Sequence, residues 1–317
     1  GCYDEAAAAY QEGIRQAEQQ KDQRGMAVGK FRLGSVRYKQ ERYSDALEAY
    51  LEARELFSRL NEPGSVASAW HQIGRVHQES GQPEAAEEAY NQSLAIEVRL
   101  GNLAAQASTL GQLGNLYAAA LQRPEQAVAF YQRAVEIYQT LGDTANEGRT
   151  LNNQANALRK LQRYEEARAA ITRAIQCKVA YGHAATPWTS WDILADIETE
   201  AGNPTAAPHA RQQARAAYLA YRRDDGENHY RDGRLALAIR QAFTTGSPAE
   251  AASLLQQLAA DPGWANSLPL LTALQAITAG SRDRSLAAAP GLDHTEAAEV
   301  VLLIEALEAI TGGAAIA

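Results

Sequence analysis

The sequence has 317 residues, of which 46% are hydrophobic and 21% charged, a composition typical of folded globular domains. Its formal net charge of -8 argues against DNA, RNA or an anionic membrane surface as the main partner, because each of these attracts basic protein surfaces. No apolar run approaches the ~20 residues of a membrane-spanning helix, and the first residues do not resemble a signal peptide. Cys2 and Cys177 lie far apart and provide no disulfide framework, so we expect a cytoplasmic protein.

Six similar segments recur along the first two thirds of the chain. Each has Pro or Tyr at its first position, where a helix tolerates a missing N–H, and all but the last have an acidic residue in the next two positions, where the helix dipole favours negative charge. An Ala follows three residues after each start. The starts are separated by 40, 40, 41, 40 and 40 residues and lie at Tyr3, Tyr43, Pro83, Pro124, Tyr164 and Pro204. This spacing predicts a helix at each start in a repeat architecture.

Another predicted helix precedes each of these helices and is the first helix of a pair. It carries a small residue at one position of the repeat, as in Leu33-Gly34, Ile73-Gly74 and Leu113-Gly114. A helical Gly costs about 1 kcal/mol relative to Ala, so its recurrence predicts a close approach of the paired helix. The Ala of the following helix is the expected counterpart. Each unit is therefore a helix–turn–helix hairpin that buries its apolar faces by stacking on its neighbours.

The pattern Trp70-x-x-Ile73-Gly74, followed by Gly81-x-Pro83-x-x-Ala86-x-x-x-Tyr90, resembles the tetratricopeptide repeat. The 40-residue period, with Arg99-Leu100-Gly101-Asn102 after a second helix, resembles the long-helix variety of kinesin light chain and of bacterial sensor and regulator proteins. The resemblance implies an all-α fold, a tetratricopeptide-type α-solenoid in which the hairpins form a right-handed superhelix.

We predict three parts of the chain: a solenoid over 1–222, a linker over 223–232 and a C-terminal helical cap over 233–317. Within the solenoid, the predicted units are a half unit at 3–24, full units near 26–61, 64–101, 104–142 and 145–182, and a divergent unit at 185–222. Pro208 lies inside the second helix of the divergent unit and should kink or delay it. Gly1-Cys2-Tyr3 aligns with the turn Gly81-Gln82-Pro83, so we expect a fragment of a larger protein.

The C-terminal segment loses the 40-residue period but keeps helix signals. Ser247-Pro248-Ala249-Glu250 and Asp293-x-x-Glu296 are predicted capping boxes, and Leu268–Ala279 is a predicted helix that ends at Gly280. The apolar residues that follow Glu296 cover more than one helix face, which predicts a buried helix. We expect these helices to form a small bundle that docks on the last repeat.

No motif indicates catalysis, a cofactor or a metal. Gly25-x-x-x-Gly29-Lys30 is one residue too short for a phosphate-binding loop and is followed by Phe31, so we interpret it as a turn between repeats and the start of a helix. No His-x-x-x-His pair or Cys cluster with zinc spacing occurs. The six histidines are His71, His77, His183, His209, His229 and His294. Cys177 is predicted to be a buried or half-buried thiol.

The resemblance also implies that the first helices of successive hairpins line a concave groove. Asn side chains there can hydrogen-bond a peptide backbone, and Arg or Lys can hold a carboxylate. The candidate partner-binding residues are Tyr38, Lys39, His71, Arg75, Asn115, Arg149, Asn152, Asn156, Arg159 and Lys160. The leading cluster is Asn152, Asn156 and Arg159, whose spacing places them on one stripe of a helix.

The favoured function is a non-enzymatic module that binds a peptide or a partner domain, as part of a larger bacterial regulator or sensor. One alternative is the C-terminal sensor arm of a signal-transducing (STAND-type) NTPase. An enzyme with a site between the solenoid and the C-terminal bundle, and a nucleic-acid binder that uses the Arg and Lys of the first and fourth units, are less favoured. The sequence leaves the partner and the oligomeric state open.

Overall fold

The computed structural model describes residues 2–228 and 231–313, and all regular secondary structure in these ranges is helical. Gly1, His229, Tyr230 and residues 314–317 lie outside the described residues. The predicted all-α solenoid fold with additional C-terminal helices is confirmed. Within the described ranges, no helix combines the length and the hydropathy needed to cross a bilayer. The chain divides into two compact units, Gly1–Cys177 and Lys178–Ala317.

The first unit consists of helices joined by tight turns. They are α1 (Cys2–Gln19), α2 (Gln23–Lys39), α3 (Tyr43–Arg59), α4 (Pro63–Glu79), α5 (Pro83–Arg99), α6 (Leu103–Ala119), α7 (Pro124–Leu141), α8 (Thr144–Lys160) and α9 (Tyr164–Val179). The helices α3, α5, α7 and α9 begin at the residues predicted from the repeat. Asp22, Asn102 and Asp143 cap α2, α6 and α8, because each side chain accepts a hydrogen bond from a backbone N–H three residues later. Gly81, at φ +73°, supplies the left-handed residue in the turn before α5.

Three hairpins share a contact in which a Tyr ring lies against the backbone of a Gly in the paired helix. A Cβ added to Gly74 would lie 2.6 Å from the ring of Tyr90, far inside van der Waals contact. Each Tyr is at most 2% exposed. We call these contacts the Gly–Tyr wedges, and they are Gly34–Tyr50, Gly74–Tyr90 and Gly114–Tyr131. The fourth hairpin places Ala155 and Ile171, both fully buried, at the corresponding positions.

The recurrent Ala at the start of the second helices is also fully buried. Among the six recurrent Ala residues, those with no exposed surface are Ala46, Ala86, Ala127 and Ala167. The prediction that the small residues of the repeat lie at close helix crossings is therefore confirmed for Gly74, Ala86 and Gly114. In each wedge, the Tyr ring occupies the space that a Cβ would need. Burial of the ring offsets the ~1 kcal/mol that a helical Gly costs.

The second unit contains one more hairpin and a helical bundle. Its helices are α10 (Pro187–Glu200), α11 (Ala206–Arg223), α12 (Arg231–Thr244), α13 (Pro248–Ala260), α14 (Leu268–Thr278) and α15 (His294–Gly313). Leu and Ile side chains from α12 to α15 form one buried core, in which Ile239, Leu255 and Ile304 have no exposed surface. Ala298 of α15 packs in a separate cluster with Trp188 and Tyr218, so the bundle docks on the hairpin of α10 and α11.

The fifth hairpin belongs to the same compact unit as the C-terminal bundle. The predicted boundary between a solenoid ending at residue 222 and a cap beginning at 233 stays a prediction. The second helix of this hairpin starts at Ala206, two residues later than the repeat predicts, because Pro208 is accommodated only in the first turn. The predicted delay of this helix is confirmed.

Only one of the two predicted capping boxes forms. Asp293 Oδ1 accepts from Glu296 N at 2.8 Å, and Asp293 N donates to Glu296 Oε2 at 3.2 Å. The capping box predicted at Ser247 is wrong, because Ser247 has ψ 48° instead of an extended backbone and its hydroxyl makes no capping hydrogen bond. The carbonyl of Ser247 accepts from Glu250 N at 3.0 Å instead.

We expect Gly114→Ala to lower the free energy of unfolding by about 2 kcal/mol, because the new methyl group would overlap the ring of Tyr131. Gly111→Ala is the matched control on the same helix, since no heavy atom lies within 4 Å of the added Cβ. It should raise stability by up to ~1 kcal/mol through helix propensity. Urea unfolding followed by circular dichroism measures both. Equal changes in the two variants would refute the packing role of the wedge.

Candidate functional site

A cleft of about 280 Å³ lies between α6 and α8 in the first unit. Three predicted site residues, Asn115, Asn156 and Lys160, come together there. The residues that line it are Asn115, Ala118, Ala119, Tyr131, Asn153, Asn156, Ala157 and Lys160. We call this the α6–α8 cleft. Its walls combine small apolar side chains with amide groups, which suits an extended chain that offers both N–H and C=O groups.

The amide of Asn115 is fixed from three sides. Its Oδ1 accepts from the hydroxyl of Tyr131 at 2.8 Å and from Asn153 Nδ2 at 3.0 Å. Its Nδ2 donates to Gln112 Oε1 at 3.4 Å. Within the described residues, Asn156 makes no side-chain hydrogen bond, so both its donor and its acceptor are available in the cleft. Asn115 is thus a rigid part of the wall, and Asn156 is a free amide.

Two further predicted residues, Tyr38 and Arg75, contact each other. The Arg75 guanidinium lies 4.7 Å from the centre of the Tyr38 ring and donates to its hydroxyl at 3.3 Å. Arg75 also donates to Gln72 Oε1 at 3.1 Å. A guanidinium has five N–H donors, so these contacts orient Arg75 and leave donors for a ligand.

His71 is half-buried on α4, one turn before Arg75. Its Nδ1 lies 2.9 Å from Thr109 Oγ1, and its ring packs edge-on against Tyr90 with 5.6 Å between the ring centres. Burial, together with the positive charge of Arg75, lowers the pKa of His71 to about 4. His71 is therefore neutral at physiological pH.

The other predicted site residues lie outside the α6–α8 cleft, and their roles stay predictions. Lys39 and Arg149 are exposed, and Arg159 is half-buried. Asn152 is 9% exposed, so little of it is accessible to a ligand. Of the predicted stripe Asn152, Asn156 and Arg159, the cleft contains Asn156 alone.

Two polar residues of the cleft, Tyr131 and Asn153, were missed from the sequence. Tyr131 is a large residue of a second helix, and its hydroxyl reaches the wall of the cleft. Asn153 lies two positions before the small residue of its helix. The same repeat position is polar in all four hairpins, and this recurrence could have indicated Asn153. The four residues are Arg32, Gln72, Gln112 and Asn153.

The remaining chemical candidates have structural contacts. Gly25 N donates to Asp22 Oδ1 at 2.8 Å, so the phosphate-loop-like segment is the capped start of α2, as predicted. Cys177 is buried, and burial raises the pKa of its thiol to about 11. Over residues 2–228 and 231–313, no group of three or more His, Cys, Asp or Glu side chains could hold a metal ion.

In the second unit, a buried carboxylate and a histidine make polar contacts between helices. Glu299, 2% exposed, pairs with Arg222 at 2.8 Å and accepts from Asn228 Nδ2 at 3.0 Å. His294 Nδ1 lies 3.1 Å from Asp192 Oδ1. These contacts join α15 to α11, to the segment after it and to α10.

Comparison with protein families gives a match to the tetratricopeptide repeat over residues 25–96 and 105–178. These segments are tetratricopeptide repeats. They cover most of α2 to α5 and of α6 to α9, which form the four complete hairpins that follow α1. A comparison with curated proteins found no match.

Solved tetratricopeptide-repeat structures share the fold at low sequence identity. BtubC from P. vanneervenii aligns with a TM-score of 0.63 and 17% identity over 73% of this chain and 95% of its own. Kinesin light chain repeats from Podosopora anserina align with a TM-score of 0.54 and 17% identity over 62% and 96%. A signal transduction ATPase with numerous domains and a tetratricopeptide-repeat sensor, from Pyrococcus horikoshii, aligns with a TM-score of 0.59 and 15% identity over 96% and 45%.

We expect the free energy of unfolding of the wild-type chain to fall relative to that of His71→Gln as the pH is lowered from 6.5 to 4. The unfolded chain binds a proton near the ordinary pKa of 6.5, whereas folded His71 stays neutral until about 4. The contribution of neutral His71 to the free energy of unfolding is therefore fully present above pH 6.5 and is lost on acidification. The shift corresponds to roughly 3 kcal/mol at ~1.4 kcal/mol per pKa unit. Urea unfolding at a series of pH values measures the difference, and parallel curves would contradict a buried neutral His71.

Proposed function

We propose that this chain is a non-enzymatic interaction module that binds an extended peptide, or an extended segment of a partner protein, along the first helices of its tetratricopeptide repeats. The observation that carries the proposal is the α6–α8 cleft, where a fixed amide, a free amide and a Lys surround a space lined by small side chains. An extended peptide presents N–H and C=O groups that match these amides.

Three other predicted site residues extend this chemistry to the first and second hairpins. Tyr38, Arg75 and His71 offer an aromatic face, a cation and a neutral imidazole next to one another. A carboxylate or carbonyl of the ligand can bind Arg75, while Asn156 and Lys160 bind a neighbouring part of the same chain. Proteins with tetratricopeptide repeats generally mediate protein–protein interaction, which agrees with this assignment.

A second candidate is a sensor arm in a larger signal-transducing ATPase. The observation in its favour is the alignment of 96% of this chain with 45% of the Pyrococcus horikoshii protein, which combines an ATPase with a tetratricopeptide-repeat sensor. The two candidates are compatible, since a sensor arm would use the same groove to detect its ligand. In that setting, ligand binding in the groove would be expected to change ATP hydrolysis by the attached domain.

The proposal predicts that Asn156→Ala weakens the binding of groove ligands by about tenfold, equivalent to ~1.4 kcal/mol. The probes are random linear peptides displayed on phage, selected on the wild-type protein and then synthesised. Fluorescence anisotropy gives the dissociation constant of each peptide for wild type and variant. The loss is expected because the free amide of Asn156 would no longer pair with the peptide backbone.

Gln132→Ala is the matched control, because Gln132 is an exposed amide on α7 whose Nε2 donates to Glu136. It should leave the affinity unchanged within about twofold. Selected peptides that bind both variants as tightly as wild type would show that the cleft is not the binding site. Failure to select any peptide on the wild-type protein would count against peptide recognition altogether.

A further inference from the structure

A buried chain of hydrogen bonds connects the groove with the interior of the second and third hairpins. His71 Nδ1 lies 2.9 Å from Thr109 Oγ1, which lies 3.0 Å from Glu97 Oε1. Glu97 Oε1 is also 2.8 Å from Ser93 Oγ, and Ser93 Oγ is 2.7 Å from the carbonyl oxygen of Ala67. We call these four contacts the buried relay. They involve α4, α5 and α6 and lie entirely within the first unit.

The direction of every hydrogen bond in the buried relay follows from the contact between Ser93 and the carbonyl of Ala67. The carbonyl of Ala67 can only accept, so Ser93 donates its single hydroxyl hydrogen there. The contact between Ser93 and Glu97 then requires a hydrogen on the carboxyl group of Glu97. Thr109 donates to Glu97, and the last contact requires a hydrogen on Nδ1 of His71. No other arrangement supplies one hydrogen to each of the four contacts.

The environment of Glu97 agrees with a neutral carboxyl group. Glu97 is 3% exposed, and its Oε2 has no hydrogen-bond partner among the described residues. Burial raises the pKa of Glu97, and no Lys or Arg side chain of the described chain bonds to it. Glu147 is the contrasting case: burial raises its pKa, but hydrogen bonds from Arg173 and Gln139 outweigh this and lower it overall.

We infer that the buried relay holds His71 as the neutral Nδ1–H tautomer and thereby presents Nε2 to the groove as a fixed hydrogen-bond acceptor for a backbone N–H of the bound peptide. Within the described chain, Nε2 makes no hydrogen bond. Arg75, one turn away, has donors only, so the pair offers an acceptor beside a donor. An extended peptide offers both N–H and C=O groups, which can pair with an acceptor and a donor. Thr109, Glu97 and Ser93 act as positioning residues, and this inference rests on the proposed function.

The tautomer is measured directly in the ligand-free full chain. A two-bond proton–nitrogen correlation spectrum of the isotope-labelled protein at neutral pH distinguishes the Nδ1–H form, the Nε2–H form and the imidazolium. Comparison with the spectrum of His71→Gln assigns the signals. We expect the Nδ1–H pattern for His71, in contrast to free imidazole side chains, which favour Nε2–H. An Nε2–H or cationic His71 overturns the inference, and this measurement needs no variant of the relay.

Three variants test the relay itself. Thr109→Val removes the hydroxyl and should convert His71 to the Nε2–H form, whereas Thr109→Ser should retain the Nδ1–H form. Thr150→Val is the matched control, because Thr150 is also buried, lies at the same repeat position on α8 and donates to the carbonyl of Asn146 instead. It should leave His71 unchanged. A Thr109→Val protein that folds and keeps the Nδ1–H form contradicts the relay.

The recognition step is tested with a peptide selected as described above and methylated at one backbone nitrogen at a time. Methylation of the N–H that faces His71 should weaken binding to wild type about tenfold, and this effect should vanish in His71→Ala. An equal effect in both proteins at every position contradicts recognition by Nε2. Because the tautomer is determined without ligand, failure to select any peptide counts against the proposed function and leaves the tautomer result standing.

Discussion

The contact on which the first unit depends is the Tyr ring that lies against a Gly backbone inside three of its four complete hairpins. Gly removes the Cβ that would collide with the ring, so the two helices approach closely and the ring is fully buried. The hydroxyl of the same Tyr contacts a polar side chain of the paired first helix. The hydroxyl contacts are Tyr50 with Ser35, Tyr90 with Gln78 and Tyr131 with Asn115. One side chain thus determines both the packing of a hairpin and the orientation of a polar group in the groove.

The fourth hairpin shows what happens when this contact changes. Ala155 and Ile171 stand where the third hairpin has Gly114 and Tyr131, and both remain fully buried. Ile171 has no hydroxyl, so Asn156, the repeat equivalent of Asn115, lacks the partner that fixes Asn115. The free amide in the α6–α8 cleft therefore follows from a change in the core behind it. A groove made of identical repeats would have fixed every amide in the same way and left none for a ligand.

The sequence was sufficient for the fold because a helical Gly at a constant repeat position has few explanations other than a close helix crossing. It also predicted that Asn115, Asn156 and Lys160 lie on the groove face of their helices, since the repeat position determines which side of a helix they occupy. It did not reveal the contact of Asn153 with Asn115, or those of Thr109 with His71 and Glu97, because these partners come from other helices, 12 to 38 residues away. The capping box at Ser247 failed for a similar reason, since a motif specifies residue types but not the backbone angle that aims the hydroxyl.

The buried relay and the Gly74–Tyr90 wedge touch through the rings of His71 and Tyr90, and this contact links the relay to the packing of the core. Tyr90 lies against Gly74 on one side and contacts the ring of His71 on another, while His71 holds Thr109. A buried carboxyl group without a cationic partner costs stability unless its hydrogen bonds are well aligned. Glu97 is therefore tolerated only while α4, α5 and α6 keep their mutual positions. Movement of Tyr90 would break the alignment that fixes the His71 tautomer, so the acceptor in the groove depends on the same crossing that stacks the second hairpin.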